Sequence, residues 1–122
     1  MGRRSRRRAQ GDSPAAPTTD YADADGNVLT LRGSLTPATR RAYAELLSEG
    51  SRPAATAEDV WQRAVEFLFE RLAVRWVIAG VPIERQRELL GRLRLASQAE
   101  RRWVRDVLRR HLAEWFPEMR AP

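Results

Sequence analysis

The stretch "DVWQRAVEFLFERLAVRWVIAG", residues 59–80, is the most apolar part of this chain and the one that most limits how it can fold. At about 100° per residue, Asp59, Gln62, Arg63, Glu66 and Glu70 fall within one third of a helical circumference. Nearly everything else is apolar: Val60, Trp61, Val65, Phe67, Leu68, Phe69, Leu72, Val74, Trp76, Val77 and Ile78. So wide an apolar arc belongs to a helix covered on more than one side. Thr56 and Asp59 resemble a capping box with Asp in place of Glu, and Gly80 is a stop signal. The pattern predicts one central helix over 57–79. Its end, "AVRWVIAG", is rich in β-branched residues, and a strand over 73–79 is the competing reading.

Three further helices are expected around it. "SLTPATRRAYAELLSEG" opens with Thr36 and Pro37, an N-cap followed by proline at the first helical position. Ala42, Tyr43, Leu46 and Leu47 give it an apolar face, which predicts a helix over about 37–49. Pro82 opens a second, over about 82–96, with Ile83, Leu89, Leu90 and Leu93 on one side. Ser97 and Glu100 form an S-x-x-E capping box for a third, over about 98–116, stopped by Pro117. Its inner arc is Trp103, Val104, Val107, Leu108, Leu112 and Trp115. The expected fold is mainly α, a small four-helix domain over residues 20–122. A short hairpin or extended arm over 20–33 precedes the helices. All four tryptophans, Trp61 included, read as core.

The hairpin assignment rests on "DYADADGNVLTL". Three aspartates before a glycine raise the question of a calcium loop, which needs ligands at positions 1, 3 and 5, Gly at 6 and a bidentate Glu at 12. With Gly26 at position 6, Tyr21 occupies position 1 and Arg32 position 12. Starting at Asp23 instead puts Val28 at 6 and Ser34 at 12. Neither register supplies the closing carboxylate. "DG" is a favoured turn pair, since Gly accepts positive φ, and "VLTLR" alternates as a strand does. The stretch reads as a turn, and no metal is expected.

Composition narrows the chemistry. The 22 basic side chains are all Arg, and the chain has no Cys and no Lys. Thiolate catalysis, zinc–cysteine sites, Schiff-base lysines and the P-loop lysine are therefore excluded. The positive charge is unevenly placed. Residues 1–10 hold Arg3, Arg4, Arg6, Arg7 and Arg8 with no acid, whereas residues 11–122 carry 17 Arg against 16 acids. Residues 1–19 lack apolar periodicity and are expected to be a disordered basic tail. The longest uncharged apolar run, Trp76 to Ile83, is far short of the roughly 20 residues a membrane helix needs. A cytoplasmic protein is expected.

The remaining candidates have plain structural readings. His111, the only histidine, lies inside the apolar arc of the last helix and lacks a nucleophile or a set of ligands at helical spacing; it reads as packed. Glu66 and Glu70 form a carboxylate pair that reads as a solvated face. Arg101, Arg105 and Arg109 make a basic stripe that can cover apolar neighbours, bind phosphate or meet an acidic protein. No catalytic constellation and no cofactor are expected.

At "LFERLAVRWVIAGVPIERQRELLGRLRLASQAERRWVRDVLRRHLAE" (68–114), preceded by "DADGNVLTLRGSLTP", the chain resembles small Arg-rich helical proteins encoded among structural genes of actinobacterial phages and prophages. Tail assembly chaperones are the most similar in size and layout. The resemblance implies a non-enzymatic cytoplasmic protein that binds a tape-measure protein during tail building. Independently of it, the central helix offers more apolar surface than three short neighbours can cover. That surplus predicts contact with another protein or another copy around Phe67, Val74 and Ile78, flanked by Arg101, Arg105 and Arg109. The competing function is nucleic-acid binding through Arg3, Arg4, Arg6, Arg7, Arg8 and the same stripe.

Overall fold

A computed structural model describes residues 17–48 and 56–122. The fold is α+β, not the expected mainly α four-helix domain: four helices accompany a four-stranded antiparallel sheet. In chain order the elements are β1 (Thr18–Ala22), β2 (Val28–Arg32), α1 (Pro37–Ser48) and α2 (Ala57–Leu72), followed by β3 (Ala73–Ile78), β4 (Val81–Ile83), α3 (Gln86–Arg94) and α4 (Gln98–Trp115). The sheet order is β1-β2-β3-β4, so α1 and α2 together connect two neighbouring strands.

The correction centres on residue 73. The helix ends at Leu72, and Ala73 is already extended at φ −70° and ψ 125°, its N–H still bonded to the Phe69 carbonyl. Helix passes into strand with no loop and no glycine between them. β3 is therefore the "AVRWVI" segment whose branched side chains suit a pleated surface. Gly80 ends no helix. Ala79 (φ 52°) and Gly80 (φ 78°) form the two-residue turn between β3 and β4, both left-handed as a type I′ hairpin requires. Pro82, expected to open a helix, lies in the three-residue edge strand β4, where a missing N–H is tolerated.

One face of the sheet is apolar and packs on helices. Tyr21, Leu29, Trp76 and Ile83 stand opposite one another across all four strands. Register shifts between Thr30 and Leu31, because Thr30 pairs with Arg75 but Leu31 with Ala73. Val74 is thus the extra residue of a bulge. The bulge lets Ala73 and Trp76, three apart, both be buried; regular alternation would put them on opposite faces. On the other face Asp20, Thr30 and Arg75 align, with the Thr30 hydroxyl donating to Asp20 at 2.7 Å.

α2 supplies the centre of the core through Ala64, Leu68, Phe69 and Leu72, all fully buried. The cap on Thr56 forms, its hydroxyl accepting from Asp59 N–H at 3.1 Å. α4 begins where expected, on a complete capping box. Ser97 accepts from Glu100 N–H, and Glu100 accepts from Ser97 N–H. The β1–β2 connection is also a turn. Asp23 accepts from the backbone of Asp25 and Asn27 and from the Asn27 amide, leaving a closed polar loop of residues 23–27 with Gly26 at φ 84°. β1 starts at Thr18, inside the stretch expected to be tail. Arg3, Arg4, Arg6, Arg7 and Arg8 lie outside the described residues.

Candidate protein-docking groove

The first turns of α2, the end of α3 and the first half of α4 border an open groove of about 460 Å³. α2 contributes Glu58, Trp61, Gln62, Val65 and Glu66; α4 contributes Gln98, Arg101, Arg102 and Arg105; Leu93 comes from α3. Residues spaced three and four apart lie on one helical face. Each of the two longer helices therefore turns one two-turn face into the groove. Trp61, Val65 and Leu93 are its apolar part and the charged residues its rim.

Trp61 is 44% exposed, although the sequence reading placed it in the core. The projection used there discards position along the axis. Trp61 lies within about 20° of Leu68 and Leu72 at 100° per residue, but it stands near the N-terminal end of α2, beyond the layer that covers them. Leu95, just past α3, is 84% exposed. The sequence gave no sign of it.

The arginines expected to act as one stripe do three different things. The Arg105 guanidinium lies 4.4 Å from the centre of the Trp61 ring and donates to the Pro122 main-chain oxygen at 3.2 Å. Arg101 donates to the carbonyls of Arg94 (2.7 Å) and Ala96 (3.3 Å), satisfying acceptors that the end of α3 leaves open. Arg109 is exposed and lies outside the groove. Arg102 is exposed on the groove wall, without a hydrogen bond or ion pair among the described residues. On the facing wall Glu66 is held by Arg94 at 3.1 Å.

Phe67, Val74 and Ile78 do not form the expected patch. Phe67 and Ile78 are half-buried and pack against the core; Val74 is the half-buried bulge residue. Phe67 is covered by Tyr43 of α1, with ring centres 6.1 Å apart, and by the Arg71 guanidinium at 3.8 Å. The surplus that motivated the prediction came from treating a strand as four more helical residues and then some. Once 73–78 joins the sheet, most of that surface has a partner.

His111 is fully buried, as the apolar arc implied. Its Nε2 lies 2.7 Å from the Arg32 carbonyl and its Nδ1 2.9 Å from the Tyr21 hydroxyl. A carbonyl only accepts, so Nε2 carries the proton and Nδ1 accepts from Tyr21. Burial pushes His111 below its ordinary range, opposed by the Arg32 carbonyl and Glu114. The neutral ring ties α4 to β1 and β2. Among the described residues no group of three or more His, Asp or Glu could hold a metal ion, and no helix is long and apolar enough to cross a membrane.

Compared with known proteins, the chain matches no family model, and neither the curated proteins nor the solved structures contain a significant match.

Proposed function

We propose that this protein is a non-enzymatic cytoplasmic adaptor or assembly chaperone that works by protein–protein contact. The observation that carries this reading is the groove between α2, α3 and α4. It presents an exposed tryptophan, two further apolar residues and a rim of arginines in one place. Tryptophan and arginine are enriched where protein interfaces concentrate their energy, and an apolar centre within a polar rim is the usual interface layout. The partner site is thus moved from Phe67, Val74 and Ile78 to Trp61, Val65 and Leu93, with Arg101 and Arg105 kept as its neighbours. Within this reading, the resemblance to phage tail assembly chaperones makes a tape-measure-like protein the specific partner.

The test is co-expression with the product of an adjacent gene, above all one encoding a long coiled coil, followed by sizing of the complex. A complex formed by the wild type and lost in Trp61→Asp supports the adaptor reading. Failure to form one, together with retention of DNA that disappears when residues 1–19 are deleted, favours the nucleic-acid alternative.

A further inference from the structure

The two helical faces that border the groove share one spacing. On α2 they are Glu58, Trp61, Gln62 and Val65; on α4 they are Gln98, Arg101, Arg102 and Arg105. Both run i, i+3, i+4, i+7, the spacing by which a helix meets another helix. Each face extends about 12 Å along its axis at 1.5 Å per residue. The groove is thus shaped as a bundle seam whose next helix has yet to arrive.

Its charge is not balanced. Three arginines face two carboxylates, and one of those, Glu66, is already paired with Arg94. Arg102 sits in the early turns of α4, where the helix end adds partial positive charge of its own. A basic residue there is mildly unfavourable for the isolated helix. Arg101 and Arg105 are spent on α3 carbonyls and on Trp61 with Pro122, which leaves Arg102 as the cation available to an incoming group. The hold of Arg105 on Trp61 also fixes the ring before anything binds, so less ordering is needed on association.

We propose that the groove receives an amphipathic helix from another protein, its apolar ridge seated on Trp61, Val65 and Leu93 and its acidic residues turned toward Arg102. This rests on the adaptor reading and adds the partner's secondary structure and sign of charge. Arg102 selects the charge; Trp61 supplies the apolar anchor. The binding mode is helix-in-groove, read by anchors at i, i+3, i+4 and i+7.

The test titrates the full 122-residue chain, labelled with ¹⁵N, with two synthetic helical peptides. Both carry the same leucine ridge; one has glutamates and the other lysines along its flank. The glutamate peptide should shift the Trp61 indole and the amides of Val65, Leu93 and Arg102, with affinity that falls as salt is raised. Arg102→Glu should weaken it by about tenfold and favour the lysine peptide instead, a swap that lost folding cannot mimic. Trp61→Ala should weaken both versions. Equal binding of the two peptides by wild type overturns the proposal, as does binding that leaves these residues unshifted or no binding at all. So would occupation of the groove by a second copy, seen as a dimer that Trp61→Ala dissolves, or the same shifts produced by a DNA duplex. If neither peptide binds while the co-expressed partner still depends on Trp61, the helix proposal fails and the adaptor reading stands.

Discussion

At the scale of single residues, two positions carry costs or conditions that can be read directly. Ala79 sits at φ 52° in the β3–β4 turn, a region that costs a side chain bearing Cβ about 1 kcal/mol. Asn-Gly is the preferred pair for such a turn. The Ala79 N–H, which donates to the Asn27 side chain at 2.9 Å, is retained on substitution. Ala79→Asn should therefore raise stability by about 0.5–1 kcal/mol, read as a higher midpoint in urea with an unchanged slope. His111 sets a pH dependence. Its folded pKa is depressed, so the unfolded chain takes up the proton first as pH falls below the ordinary value of 6.5. Stability should be full above that value and decline toward pH 5, a window in which ordinary carboxylates remain ionised. Thermal melts at pH 7.5 and 5 measure it. His111→Gln, whatever its own stability, should lose most of the difference between the two.

At the scale of elements, α1, α4 and the β1–β2 hairpin were legible because each is punctuated locally. Thr36-Pro37, Ser97 with Glu100, and Asp25-Gly26 are signals that act within a few residues. β3 was not legible, because α2 runs into it without a glycine, proline or polar break. Val60 to Ile78 then satisfies a helical wheel only because so few of its residues are polar. β4 was missed for a related reason: Pro82 suits a helix start as well as an edge strand, and the choice depends on β3 lying beside it. Element packing also fixes the role of Gly33. A Cβ there would come within 2.7 Å of the Trp115 ring, whose Nε1 donates to Thr19. Gly33→Ala should cost about 1–3 kcal/mol by forcing α4 away from the hairpin, measurable in the same urea titration. The segment after α4 is tied down by the Tyr43 hydroxyl, which donates to the Arg120 carbonyl at 2.6 Å. Burial pushes that hydroxyl up to about 12 from 10.0. Its contribution should be complete below pH 10 and vanish as pH rises toward 12, and Tyr43→Phe should remove about 1 kcal/mol at neutral pH.

At the scale of the molecule, a sheet with one apolar face is covered by helices, and the cover leaves a seam open where α2 and α4 diverge from their shared neighbour α3. The site was only partly visible in sequence. Arg101 and Arg105 were singled out for their spacing, and both border the groove, but spacing could not show that their guanidinium groups are already engaged. Trp61 was assigned to the core because angular position alone made it equivalent to Leu68. What decides its exposure is how far the neighbouring helices reach, which only the assembled fold defines. The resemblance to tail assembly chaperones guided the choice of partner and contributed nothing to locating the groove. The most direct measurement is the affinity of the purified chain for its co-expressed partner, by calorimetry, for Trp61→Ala and Arg109→Ala alongside wild type. Trp61→Ala should weaken binding by about tenfold or more, as truncating a central aromatic anchor does, and Arg109→Ala should leave it unchanged. The opposite pattern, with Arg109 required and Trp61 dispensable, would contradict the assignment of the groove.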